Sequence, residues 1–589
     1  MTVPAWSIAP FVLMLATIAI APLVPALARI WERPRNQLIF SLLLGIPVAV
    51  LVLIVGEGEL VTHAVVEYTQ FIILLFALFS VSGGIFLRGD IAATPRTNTI
   101  FLAIGGVLAS FIGTTGAAML LIRPLLNTNA ERKHKAHTVV FSIFIVANCG
   151  GLLTPLGDPP LFLGMLRGVP FEWTFTLTPE WAFTNGMLLL TYWALDRRIV
   201  AHESPEDVLV DRTQTEPLRL AGGSNFVWFA VIVLAVAFVP SVDGTELAEG
   251  QLHGLELVPW REIVMLAAAF CSLVLADKKV RYEDNQFTFG PIQEVAAIFV
   301  GIFLTMVPAL EVLREFAPRL HLNEITLFVA TGGLSSVLDN APTYATFFEM
   351  ASQLDGEPRV ADVPELYLTA VSLGAVFCGA ITYIGNGPNF MVKSVAEAQD
   401  VRMPTFVGYV VRSITYLVPV LLAMMLLFLA QPLWVKALGG ALTVLLLSRI
   451  VVLFVRHDGE PGTVLAQLDA LSPDVVSTMP RGAMDTLPAG TPDMEVGGGG
   501  HHPPPATCAA PPPPHHLAAS PPPPDEARGL RRSRRDDSRV GRPEVARAPH
   551  REFYDLHGRG YRRGLRHRHP PTVGGPLRFR PPRGEDPSA

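Results

Sequence analysis

The chain reads as an all-α polytopic membrane protein made of two inverted repeats, with about 11 spans and two re-entrant hairpins. Three observations lead there. Half the residues are hydrophobic and only 16% are charged, with apolar runs too many and too long for a soluble core. Two apolar runs, Val139–Ala147 and Leu161–Leu166, are each too short to cross a bilayer, which takes roughly 20 residues. They are joined by Asn148-Cys-Gly-Gly-Leu-Leu-Thr-Pro-Leu-Gly-Asp-Pro-Pro160. Gly and Pro break helix there, and such backbone survives at membrane depth only inside protein or beside a water-filled cavity. Finally, the pattern returns. Thr382-Tyr-Ile-Gly-Asn-Gly-Pro-Asn389 lies 228 positions after Thr154-Pro-Leu-Gly-Asp-Pro-Pro-Leu161, and Leu334–Thr343 lies 226 positions after Leu108–Ala117. Interrupted hydrophobic segments at matching places in two halves mark the site of a secondary transporter.

Taken in order, the apolar runs place spans at 8–28, 38–55 and 69–87. Thr99–Leu126 is a longer run interrupted at Gly113-Thr-Thr-Gly116, followed by the broken span 138–166 and a span at 182–195. The second half has spans at 226–239, 260–276 and 291–310. Its long run, 325–350, is interrupted at Asp339-Asn-Ala-Pro342. A broken span at 366–395 and a span at 406–429 follow, and 433–455 has no counterpart in the first half. The domains are therefore 1–195, the first repeat; 196–221, a polar connector; 222–455, the second repeat with its extra span; and 456–589, a tail.

Charge sets the orientation, because Lys and Arg favour cytoplasmic loops. Arg29, Arg33, Arg35, Arg88, Arg96, Arg132, Lys133 and Lys135 fall inside; Glu57, Glu59 and Glu67 fall outside. Both flanks of Thr99–Leu126 are then cytoplasmic, so it enters and returns as a hairpin. Its second-half counterpart is flanked by Asp355, Glu357 and Asp362 and enters from outside. Five crossings separate equivalent elements, an odd number, which inverts the repeats.

The tail is rich in Pro, Arg and His and lacks apolar periodicity, so it reads as a disordered cytoplasmic extension. Cys149, Cys271 and Cys378 lie in apolar segments and Cys508 in the tail, with neither metal spacing nor a disulfide framework. Met1–Pro10 carries no Lys or Arg, so no cleaved leader is expected.

Hairpin tips and broken helices should converge near the midplane, so their polar residues form the candidate ion and substrate site. These are Thr114, Thr115, Asn148, Thr154, Asp158, Asp339, Asn340, Thr343, Thr382, Asn386 and Asn389. Hydroxyls, amides and carbonyls suit hard cations such as Na⁺. Asp158 and Asp339 are the Na⁺ candidates: each replaces a neutral residue in the other half, Asn386 and Gly113, and an intramembrane carboxylate is functional by default. The competing role for each is to cap a half-helix. Glu262, Glu294, Glu349, Arg123 and Lys393 rank lower, the last three as residues reaching toward the interface. His63, His137 and His321 read as surface loop residues.

Asn148-Cys-Gly-Gly…Thr-Pro-Leu-Gly-Asp-Pro-Pro160 resembles the signature of the ion transporter superfamily, which includes arsenite permeases, NhaD-type sodium/proton antiporters and citrate or dicarboxylate transporters. Asp339-Asn-Ala-Pro-Thr343 is similar to the second-half motif of its antiporter-like and citrate branches. The resemblance covers roughly 7–429 and implies inverted repeats, homodimers and elevator-like alternating access. Where the dicarboxylate branch carries Ser-Asn-Thr at its tips, this chain has Gly-Thr-Thr-Gly and Asp-Asn-Ala-Pro-Thr. A sodium/proton antiporter of the inner or plasma membrane is therefore the leading expectation, with cation- or proton-coupled citrate transport second and arsenite efflux third. Na⁺ and H⁺ are the coupling ions, no other cofactor is expected, and the partners are the lipid bilayer and a small ion or organic anion, not nucleic acid. A nucleotide-binding loop and a hydrolase motif are both missing, which argues against ATP drive and enzymatic function.

The charge pattern generates a test. Single cysteines placed in 127–137 and in 352–364 should label with impermeant reagents from opposite faces of the membrane; labelling from one face would remove the inverted hairpins.

Overall fold

The computed structural model describes residues 4–455, apart from 32, 204–210 and 212–214. The predicted tail, 456–589, with Cys508, lies outside the described residues.

Helices α1 (Ala9–Ile20), α2 (Pro25–Trp31), α3 (Pro34–Val55) and α4 (Gly58–Ser82) lead into strand β1 (Phe86–Asp90). The first hairpin is α5 (Pro95–Ile112) and α6 (Thr114–Thr128). The first broken span is α7 (Ala136–Ile145), a 3₁₀ turn at Cys149–Leu153, and α8 (Pro159–Leu166). Helix α9 (Thr178–Val200) and strand β2 (Glu216–Ala221) close the first half. Helices α10 (Asn225–Phe238), α11 (Trp260–Leu275) and α12 (Gly290–Phe316) open the second. Its hairpin is α13 (Glu324–Ser335) and α14 (Asn340–Ser352); its broken span is α15 (Glu365–Cys378), a 3₁₀ turn at Gly379–Ile381, and α16 (Gly387–Ala398). Helices α17 (Phe406–Tyr416), α18 (Val418–Met424) and α19 (Leu433–Val455) end the described chain. Seven helical segments among the described residues are long and apolar enough to cross a membrane, with shorter apolar helices between them. The protein is a multi-pass, all-α membrane protein.

Local chemistry explains most boundaries. Pro34 and Pro95 sit in first turns, where a missing N–H costs nothing. Thr94 caps α5 by accepting from Thr97 N–H at 3.1 Å. Gly56, at φ +96°, stops α3 in a left-handed conformation.

Several expectations are corrected by the structure. The first span is interrupted by a 3₁₀ turn at Ala21–Leu23, which contains Pro22 and is followed by Pro25 at the start of α2. The third span begins at Gly58 rather than Thr69. Glu67, read as a loop residue, is buried in α4 because the guanidinium of Arg167, 100 residues away, neutralises it at 3.0 Å. His137 is no surface residue: it lies in α7 with its ring nitrogen 2.7 Å from buried Asp196, which also pairs with Arg132 at 2.5 Å. His63 likewise belongs to a helix, α4. Asp196, the first connector residue by sequence, is thus locked inside the bundle.

Helix α4 serves as a ruler, about 37 Å long at 1.5 Å per residue. In its first half, Glu67 meets Arg167 and shares a cavity with Leu60, His63, Arg314, Glu349 and Ser352, and at its midpoint Gln70 donates to Ser241 and Val242. Arg167 also donates to Ala345 O on α14 at 3.2 Å, and Arg314 holds Glu349 of α14 at 2.5 Å. Beyond its end, Gly83 O and Gly84 O accept from Asn285 and Asn225, and β1 pairs antiparallel with β2. Arg88 of β1 pairs with Asp284, and Arg123 of α6 reaches the Asp284 carbonyl. The open end of the first hairpin therefore lies at the β1–β2 end of α4, and that of the second hairpin at the Glu67 end.

Candidate functional site

Each break is built from the same bonds. The Thr154 hydroxyl donates to Ser110 O on the first hairpin; the Thr382 hydroxyl donates to Ser336 O on the second, at 2.5 Å. Each threonine oxygen also accepts the N–H two residues on, Leu156 and Ile384, both at 3.2 Å. In each loop a glycine lies on another glycine's carbonyl. A Cβ added to Gly157 would stand 2.0 Å from Gly151 O, and one added to Gly385 would stand 2.5 Å from Gly379 O. Only hydrogen fits at such an approach, so the Gly residues of both motifs are set by packing as well as by helix breaking.

Asp158 and Asn386 occupy matching positions, extended residues just before α8 and α16, and neither side chain caps its own helix. They turn toward each other instead. One oxygen of Asp158 accepts from Thr114 Oγ1 at 3.0 Å and lies 3.5 Å from Asn386 Nδ2; the other accepts from Asn340 Nδ2 at 2.9 Å. Thr114 belongs to the first hairpin tip, Asn340 to the second, Asn386 to the second break and Asp158 to the first. One fully buried carboxylate thus joins all four interrupted elements. Thr114, Asn340 and Asn386 are all neutral donors, where a buried carboxylate ordinarily requires a cation or a proton. Asp339 behaves differently. It caps α14 by accepting from Ala341 N–H at 3.2 Å, the role that competed with function for it.

A cavity opens onto both carboxylates. Thr114, Thr115, Asp158, Asp339 and Asn386 supply its polar wall; Phe71, Phe79, Phe162, Phe299 and Met391 supply apolar surface. The N-terminal ends of α6, α8, α14 and α16 face it through Thr114, Pro159, Asp339 and Gly387. Free N–H groups and helix dipoles make such ends favourable for negative charge.

The other predicted residues lie behind this wall. Asn340 is pinned by Ser335 at 2.8 Å while it holds Asp158. Asn148 donates to Asn389 Oδ1 at 2.7 Å and accepts from Asn386 at 3.1 Å; Asn389 donates to Gly379 O and Thr382 O. Thr343 donates to Asp339 O, within its own helix. Asn148, Asn389, Thr154, Thr382 and Thr343 thus act as fasteners. Ser110, outside the residues expected from sequence, is a further fastener: its hydroxyl donates to Gly150 O at 2.5 Å and accepts Leu153 N–H at 3.1 Å. Its signal was present: a small hydroxyl in the duplicated hairpin segment, matched by Ser336. Lower-ranked Glu262, Glu294, Glu349 and Lys393 are held by Arg261, Gln37, Arg314 and Glu397, respectively. Among the described residues, no group of three His, Cys, Asp or Glu gathers as metal ligands.

This architecture, broken helices around a shared buried polar centre, defines a secondary transporter, and sequence comparison agrees. The profile of a family described as "Putative citrate transport" matches residues 1–429, and the chain belongs to that family. It is also similar to a "46 kDa membrane protein" of Mycobacterium leprae (strain TN), 24% identical over 319 residues that span 51% of this chain and 68% of that protein.

Close glycine packing generates a prediction. Gly157→Ala forces a methyl group into a carbonyl and should cost about 3 kcal/mol or more, at the upper end of overpacking. Thermal unfolding in detergent should occur at clearly lower temperature than for wild type. Gly387→Ala, with nothing within 4 Å of its Cβ, should unfold like wild type.

Proposed function

We propose that the chain is a cation- or proton-coupled carrier of citrate or a related small organic polycarboxylate, with Asp158 as the coupling carboxylate and Asp339 beside it. The observation that carries this reading is the convergence of four helix N-termini on one cavity, with the Asn386 amide in its wall. That arrangement favours carboxylates, both the protein's own and a substrate's. Family membership points the same way. The Nδ2 atoms of Asn340 and Asn386 face Asp158, so a bare cation would have to turn both amides to reach oxygen ligands. Proton binding at Asp158, or entry of a cation together with the anionic substrate, avoids that cost.

Two inverted repeats supply the alternating access. Hairpins entering from opposite ends of α4, and the matching bonds at both breaks, support this organisation. The β1–β2 end is the cytoplasmic one in this reading, as its Arg88 and Arg132 suggest by charge bias, and the membrane is the inner or plasma membrane. A homodimer is the expected assembly.

Sodium/proton exchange is the second reading. It is favoured by one feature: the cavity wall holds two carboxylates and, among the described residues, no Lys or Arg.

Proteoliposomes separate the two. Citrate uptake driven by a proton or cation gradient should be present in wild type and fall at least tenfold in Asp158→Asn, at equal insertion. Asn at the matching position 386 shows that the motif carries an amide. Sodium-dependent proton movement without citrate, and no citrate uptake, would transfer the assignment to the exchanger.

A further inference from the structure

The central cavity continues toward the β1–β2 end. Phe79, Gly116, Pro291 and Met391 line it and also line a second cavity, whose wall adds Met119, Leu120 and the segment Asn285–Thr288. Gly116, Met119 and Leu120 lie on one face of α6, and three and four residues further along that face comes Arg123. Arg123 follows one turn beyond the residues that line the second cavity, and its Nη1 reaches the carbonyl of Asp284, the residue before Asn285 of that wall, at 3.5 Å.

Arg123 has no carboxylate partner among the described residues. The one nearby, on Asp284, is taken by Arg88. Its Nε is buried with no hydrogen-bond partner. A buried charged donor left unsatisfied is costly. Arginines 132, 167 and 261 each hold a carboxylate, and Arg281, which has none, places its guanidinium on Ser80 O, Ser272 O and the Ser272 hydroxyl; Arg123, half-buried, has the single long contact to Asp284 O.

We propose that Arg123 is a substrate contact: a guanidinium that receives a carboxylate group of the transported anion at a second station between the central cavity and the β1–β2 end. Nine residues of helix separate Arg123 from Thr114, about 14 Å at 1.5 Å per residue. That separation makes Arg123 a station distinct from Asp158, and the two are used in succession. The guanidinium supplies the positive charge that the central wall lacks, and its planar fork matches a carboxylate. The inference rests on the organic-anion reading above.

The test uses the full chain in proteoliposomes of known orientation, with citrate as probe. Arg123→Gln should raise half-saturating citrate roughly 10-fold or more at the β1–β2 face, the scale of one charge-assisted hydrogen bond. The opposite face and the maximal rate should change less than about twofold, and Arg123→Lys, which keeps the charge but loses the fork, should fall between Arg123→Gln and wild type. Unchanged half-saturation in Arg123→Gln, or a fall in maximal rate alone, would overturn the proposal. A second measurement leaves Arg123 intact: citrate should slow thiol labelling of Met119→Cys in a background without the native cysteines, and absence of protection also counts against it. If wild type carries no citrate at all, the organic-anion reading fails first and this contact with it, whereas citrate transport insensitive to Arg123→Gln defeats the contact alone.

Discussion

The structure depends on one buried carboxylate. Asp158 receives bonds from Thr114, Asn340 and Asn386, so the two hairpin tips and the second break meet at the first break through a single side chain. Interrupting four membrane segments leaves helix ends without partners inside the bundle. Concentrating those ends around a negative group offsets much of that cost, because exposed N–H groups favour anions. The same concentration makes the centre sensitive to whatever alters its charge. A proton, a cation or an incoming carboxylate changes the balance of forces among all four elements at once, which is what a carrier needs if binding is to bias its conformation.

Around that centre the fasteners hold geometry rather than ligand. Thr154 and Thr382 tie each loop to its hairpin, the Gly151–Gly157 and Gly379–Gly385 contacts fold each loop on itself, and Asn148 and Asn389 bind one break to the other. These contacts link elements far apart in sequence and join the interrupted segments into one hydrogen-bonded unit. Outside them, ion pairs such as Arg167–Glu67 and Arg314–Glu349 join α4 and α12 to the region around the second hairpin. They lie at one end of the bundle, where contacts must be remade if the interrupted segments shift.

Much of this was legible in the sequence because helix breaking is local. Paired Gly and Pro, a conspicuous Asp and their return 228 positions later need no tertiary information. The interrupted elements and the central role of Asp158 follow from that. Other features depend on distant partners. Glu67 reads as a loop residue until Arg167 is placed beside it, and Asp196 and His137 read as polar surface until Arg132 closes over them. The polar residues of the motifs divide by the direction of a side chain. Thr114 faces the cavity and Thr154 the hairpin backbone, a distinction that composition and spacing do not contain. Asp339 shows the same limit: its cap to Ala341 is local chemistry, while its place on the cavity wall is tertiary.

The central claim is that Asp158 changes its protonation or its counter-ion as the substrate binds. Infrared difference spectroscopy on the reconstituted full chain tests this most directly, by following carboxyl bands when citrate is added at fixed pH with and without Na⁺. The account predicts a citrate-induced change in a carboxyl band that is present in wild type, absent in Asp158→Asn and retained in a variant of an exposed carboxylate such as Glu315→Gln. A wild-type spectrum with no carboxyl change on citrate binding, or a change that persists in Asp158→Asn, would contradict it.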